Sequence, residues 1–242
     1  MKINKNFSPQ LLFVALIMIL SFNLSAQKVK GDGKFISQDR GVLPFESIEL
    51  DGDYDVILEY TVTPYLKIDG DEALVPFMQV NQKGKKITVS PMKGTDFKKG
   101  ERMVIRIGAN ELKSISLSND GSFTCSNSIP SKSLKVSLSN SGKVELKLEG
   151  KSASIKSKND SPIVITGEVK SMSISQSGKG DIDANGVKAE TVSVDHSGKG
   201  DITINATKSI DVKSTSDGNI MYRQGVDERK IYIKGKGKVV EQ

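Results

Sequence analysis

The chain has 242 residues, of which 36% are hydrophobic and only 5% aromatic, with no Trp and a formal net charge of +6. That is enough for one large or two small domains. The basic residues are scattered and lack stacking rings, which argues against nucleic-acid binding, and a single cysteine, Cys125, excludes an internal disulfide.

Residues 1–26 read as a secretory signal peptide. Lys2 and Lys5 open it, residues 11–20 are an unbroken apolar run, and Leu24-Ser25-Ala26 offers a cleavage site before Gln27. The run is shorter than the roughly 20 apolar residues of a comfortable membrane span. Cleavage removes two lysines and no acid, taking the net charge from +6 to +4. No later segment is apolar enough to span a bilayer. The mature protein is therefore expected to be exported, with no transmembrane segment, to the periplasm or the extracellular surface. Cys125 is expected to be a small buried hydrophobe.

Residues 27–42 form a linker and residues 43–113 an N-terminal β region. Phe45-Glu46-Ser47-Ile48-Glu49-Leu50 and residues 54–59, 65–68, 86–89 and 103–107 alternate apolar and polar side chains, as half-buried strands do. Gly52, Pro64, Gly70, Gly84 and Gly94 punctuate them. Residues 71–80 predict one short helical turn with Asp71 near its start. Tyr54, Tyr60 and Tyr65 fall in this half, where packing at a core edge outweighs sugar stacking. A basic loop, residues 93–101, precedes the repeats.

From residue 114 the chain restates itself. Met172-Ser173-Ile174 leads to Ser177-Gly178-Lys179-Gly180-Asp181-Ile182, and Val192-Ser193-Val194 leads to Ser197-Gly198-Lys199-Gly200-Asp201-Ile202. Ile210-Asp211-Val212 leads to Asp217-Gly218-Asn219-Ile220, and a degenerate copy carries Asn159-Asp160-Ser161-Pro162. Self-similarity at this spacing marks a solenoid, and the two-residue alternation inside each copy marks strands. Stacking sets Met172, Val192 and Ile210 in one inward column, Ile174, Val194 and Val212 in a second, and Ile182, Ile202 and Ile220 in a third. The predicted fold is all-β: a right-handed parallel β-helix-like solenoid with coils of about 20 residues, preceded by an irregular β region. The solenoid occupies residues 114–242, with residues 234–242 as a C-terminal cap. An open β end invites pairing, so a homo-oligomer is a candidate assembly.

With these pieces in order, the chain resembles a bacterial family of exported proteins described as putative auto-transporter adhesin, head GIN domain. The resemblance rests on residues 45–50, on Tyr54-Asp55-Val56-Ile57-Leu58, on residues 66–72, on the Ser-Gly-x-Gly-Asp-Ile turns at 177–182 and 197–202, and on Gly218–Tyr222. It covers roughly residues 43–240 and implies an adhesin-like head. The chain lacks the repeated alternating strands of an outer-membrane barrel, and the resemblance carries over no site residue.

Stacking places Asp181 over Asp201 and Lys179 over Lys199. Calcium takes roughly six to eight oxygens and the lysines oppose a cation, so these acids are expected to cap turn amides; no metal or cofactor is expected. Lys179 and Lys199 could contact an anionic glycan, although such lysines are usually solvated turn tips. His196, the only histidine, replaces Gln176 at a turn and is expected to be exposed, with general-base work the lesser reading. Lys179, Lys199, Asp181, Asp201 and His196 are thus the candidate ligand contacts, and no catalytic residue is expected. The favoured function is a non-enzymatic, adhesin-like binding or scaffold module of the cell envelope that contacts a surface glycan or protein. The alternative is a lyase or hydrolase of acidic polysaccharides with Asp181 and Asp183, or Asp195 and Asp201, as paired carboxylates, a reading that rests on fold analogy.

Overall fold

In the computed structural model of the chain, residues 27–97, 103–139 and 142–242 are described. The signal peptide expected at residues 1–26, the end of the basic 93–101 loop and the first two positions of the turn at 140–142 lie outside the described residues. The first half runs as β1 (Gln27–Val29), β2 (Phe35–Asp39), β3 (Ser47–Gly52), β4 (Asp55–Tyr60), β5 (Tyr65–Asp71), a 3-10 turn (Val75–Phe77), β6 (Met78–Lys83), β7 (Lys86–Pro91), β8 (Thr95–Phe97) and β9 (Val104–Ala109). The second half runs as β10 (Ser114–Asn119), β11 (Phe123–Cys125), β12 (Ile129–Leu138), β13 (Val144–Ser157), β14 (Ile163–Gln176), β15 (Ile182–His196), β16 (Ile202–Ser214), β17 (Ile220–Tyr222), β18 (Glu228–Ile233) and β19 (Val239–Glu241).

From β10 onward each strand pairs in parallel with the strand one coil away, giving a β-solenoid of about seven turns with bridges about 19 residues apart. One coil shows how sequence makes the shape. In β15 the buried apolar residues are Ile182, Ala184, Val187, Ala189, Val192 and Val194. Steps of two keep them on one side of a strand. The two steps of three turn the chain through corners, and the β15–β16 register slips over the same stretch, as bulges bend strands. The third corner is the Gly-x-Gly turn. A Cβ on Gly200 would stand 2.3 Å from the Gly180 carbonyl oxygen, so glycine is there because successive backbones nearly touch.

The three inward columns read from the sequence are in register: Met172–Val192–Ile210, Ile174–Val194–Val212 and Ile182–Ile202–Ile220. The last of these runs on through Ile163, Val144, Phe123, Val56 and Ile105. No coil can bury its face alone, so the columns stabilise the stack only together.

The first half is more regular than its sequence, because it supplies two further rungs in an order that differs from chain order. β3 pairs with β7 on one side and β10 on the other, and β4 lies between β9 and β11. The chain therefore lays one rung, stacks the next on its outer side, then steps back across at residues 110–113. Glu46 staples this crossing: its carboxylate holds Lys113 at 2.6 Å and also Lys85, and both lysines keep its carboxyl below the usual range.

The outer rung is covered by antiparallel strands, β5 on β9, β2 on β5 and β6 on β7. The short helical turn is the 3-10 turn at Val75–Phe77, and the Asp71 carboxylate accepts the amides of Ala73 (2.9 Å) and Gly33 (2.6 Å). Residues 234–242 continue the stack, since β19 pairs in register with β17. The last rung instead carries its own polar closure: Arg229 and Glu241 stand at the inward positions beyond Ile210 and Tyr222 and pair at 3.0 Å.

Candidate functional site

Outward positions of a parallel stack form columns as regular as the core. On the face made by the second halves of β13 to β16, Ser154, Ser173 and Ser193 are in register, as are Ser152, Ser171, Thr191 and Ser209. Successive hydroxyls are thus about 4.8 Å apart along the axis. The Ser152 and Ser171 hydroxyls lean on carbonyls of the preceding coil at 3.5 Å, whereas those of Ser154, Ser173 and Ser193 face solvent. Between the columns runs an open groove of about 580 Å³, floored by Met172, Val192 and Ile210 and ending at Glu228, Arg229 and Lys230. Across β13 to β15 both columns are uncharged and their small side chains keep the face flat, and Asp211 follows Ser193 in register at the β16 end of the groove. The sequence pattern contained these serines, but only as the polar half of an alternation.

The turn ridge borders a different edge of the solenoid. Asp181 Oδ1 accepts the Asp201 amide at 2.8 Å, and Asp201 Oδ1 accepts the Asn219 amide at 2.7 Å. Each acid caps the backbone one coil on, which is what the sequence suggested for Asp181 and Asp201. Lys179 pairs with Asp160 at 3.5 Å; Lys199 is exposed one coil further along. Asp183 accepts the Asn185 amide at 3.0 Å, while Asp195 points outward from the serine-lined face with Lys213 as its register neighbour. The carboxylates considered for hydrolysis are therefore divided between two faces and the ridge. Among the described residues no three His, Cys, Asp or Glu side chains gather as a metal site would require.

His196 overturns its expected place. Alternation continues through the turn, so it points inward with 0% exposure, in a buried polar column with Ser157, Gln176 and Ser214. A turn residue was expected to be solvated; here the polar column fills the corner beneath the Gly-x-Gly turns. Burial pushes its pKa down, against smaller upward contributions from the Gly200 carbonyl and Asp201. The unfolded ring titrates near 6.5, so the unfolded state takes up more protons as pH falls below that value. Stability contributed by the neutral ring is full above pH ~6.5 and is lost on acidification, with a slope of up to about 1.4 kcal/mol per pH unit. Urea midpoints measured at pH 7.5 and 5.5 are expected to show that loss for the native protein and not for His196→Gln, which copies the neighbouring coil. An equal loss in both would remove His196 as its source.

Of the tyrosines, Tyr54 is buried and donates to the Val89 carbonyl at 2.8 Å. Burial and a hydrogen bond to Glu59 push the Tyr65 phenol up to about 12, and Tyr60 is exposed. Of these three first-half tyrosines, Tyr60 alone is exposed enough to offer a ring to a sugar. Cys125 is buried, as expected, and desolvation pushes its thiol up to about 11.

Comparison with known proteins follows the same lines as the geometry. The sequence profile described as putative auto-transporter adhesin, head GIN domain matches residues 44–225. Among solved structures, a putative adhesin from Bacteroides fragilis is 24% identical, with a TM-score of 0.83 over 88% of this chain and 100% of that one. A putative adhesin from Parabacteroides distasonis is 22% identical, with a TM-score of 0.68 over 89% of this chain and 100% of that one. A protein from the same organism described as a putative lipid binding protein is 21% identical, with a TM-score of 0.62 over 88% of this chain and 100% of that one. At these identities the likeness is one of fold. No curated protein matches the chain.

Proposed function

The chain belongs to the putative auto-transporter adhesin, head GIN domain family, and from that premise we propose that it is a non-enzymatic binding module of the cell envelope whose serine-lined groove holds a linear, uncharged glycan. The observation that carries this reading is the pair of in-register hydroxyl columns flanking the groove. A repeating ligand gains from a repeating site: hydroxyls spaced by one coil can each meet one unit of an extended chain. Each hydroxyl both donates and accepts, as sugar hydroxyls require. Across β13 to β15 the columns carry no charge, and the charge that follows Ser193 in the column is the carboxylate of Asp211, which disfavours the acidic polysaccharides of the enzymatic alternative. Export to the periplasm or the cell surface fits the same reading, and no helix among the described residues is long and apolar enough to cross a membrane.

The test is binding of β-1,4-linked N-acetylglucosamine oligomers of increasing length, followed by calorimetry. Affinity is expected to rise with length until the groove is filled, and Ser173→Arg, an exposed change at its centre, is expected to weaken binding at least tenfold without altering the melting temperature. Affinity independent of length, or indifference to Ser173→Arg, would count against the groove. Sustained release of new reducing or unsaturated ends from an acidic polysaccharide would favour the enzymatic alternative.

A further inference from the structure

The two ends of the solenoid differ. The outer rung of the first half is roofed by β2, β5 and β6, with Leu74, Val75 and Met78 buried beneath. At the other end β18 pairs with β16 alone and β19 with β17 alone, so among the described residues no strand occupies their outer edges. Ile231, Tyr232 and Ile233 of β18 are 41%, 52% and 40% exposed, although Ile231 continues the inward column of Val212. An unpaired strand edge is a template for another strand.

We propose that this edge binds a second copy of the same chain, through antiparallel pairing of β18 with its counterpart about a two-fold axis at Ile231. The side chains select that occupant. Continuing the core across the junction requires inward residues to oppose inward residues, which sets Ile231 against Ile231 and Arg229 against Ile233. The outward residues then pair as Glu228 with Lys234 and Lys230 with Tyr232, each twice. The first is an opposite-charge cross-strand pair and the second a cation over a ring; within one chain Lys234 already lies 5.5 Å from the Tyr232 ring. Lysines at an edge ordinarily deter pairing, but in this register each one meets a carboxylate or an aromatic ring.

Because the opposite end is roofed, the contact is isologous and closes at two copies, where a head-to-tail contact would grow a filament. An edge contact of this kind belongs at the small end of specific interfaces, below about 1,200 Å², so dimerisation is expected in the micromolar range. The grooves end at Glu228–Lys230 on the same strand, so the dimer would join the two serine-lined faces into one longer surface and raise the avidity for a polymer.

Sedimentation velocity of the purified protein without glycan, over low to high micromolar concentration, reads the dimer independently of any ligand. A concentration-dependent dimer is expected. Glu228→Lys, which turns two attractions into two repulsions, is expected to weaken it about tenfold, and the charge swap Glu228→Lys with Lys234→Glu is expected to restore it. Ile231→Asp, at a solvent-accessible position, is expected to leave a folded monomer. A protein that stays monomeric throughout, a dimer indifferent to Glu228→Lys and Ile231→Asp, or filaments in place of a dimer would each overturn the proposal.

Discussion

Gly167→Ala is expected to destabilise the protein by about 4 kcal/mol, which for a chain of this size lowers the melting temperature by roughly 10 °C. Two penalties meet at this corner of β14. The backbone φ is +121°, a region that side-chain-bearing residues rarely adopt, and an added Cβ would stand 1.9 Å from the Leu148 carbonyl oxygen one coil away. The first penalty is about 1–2 kcal/mol and the second about 1–3 kcal/mol, as for overpacking elsewhere. The obstructing atom belongs to a ladder and can move only if β13 and β14 separate. Gly225→Ala isolates the first penalty, since φ there is +92° with nothing within 4 Å, and its cost should stop at about 1–2 kcal/mol. Calorimetric melting of both variants reads the difference. If the two melted together, the close approach between coils would not be a stability determinant.

The same corners explain what the sequence could and could not disclose. Ile182, Ile202 and Ile220 were legible as a column because the glycine turns recur beside them and the alternation carries them inward. Ile48 was not, because its register partners Ile87 and Ile115 belong to rungs laid down out of chain order, and no fixed spacing can reveal that. His196 was misplaced for a related reason. The two-residue alternation runs unbroken through Val194, His196, Gly198 and Gly200, all buried, whereas a turn was taken to end it. Of the corners that do shift the phase, Ala184–Val187 holds Gly186 while Ala189–Val192 holds no glycine, so no single residue type marks where the phase changes. Asp181 and Asp201 were read as amide caps and are so, because a short acid beside a turn reaches the next coil's backbone whatever the fold's finer shape. The serine columns were visible residue by residue, but a groove is a property of the stack.

The second large effect belongs to the core and depends on position along the stack. Ile202→Ala is expected to cost about 3 kcal/mol, within the range for emptying a buried aliphatic site. Ile202 is fully buried between Ile182 and Ile220, and a parallel ladder on both sides keeps the cavity from collapsing. Ile231→Ala, the same kind of truncation in the last rung, removes a side chain already 41% exposed and should cost under about 1 kcal/mol. In a solenoid stability is a sum over rungs and their interfaces, so a cavity at Ile202 weakens two interfaces at once and frees everything beyond it. The amides of β16 to β19 should then exchange with solvent faster than those of β12 to β14, and urea unfolding should broaden as the C-terminal coils part first. Equal losses at Ile202 and Ile231, or uniform exchange along the whole stack in Ile202→Ala, would mean that the chain unfolds as one indivisible unit and that the column does not transmit stability from coil to coil.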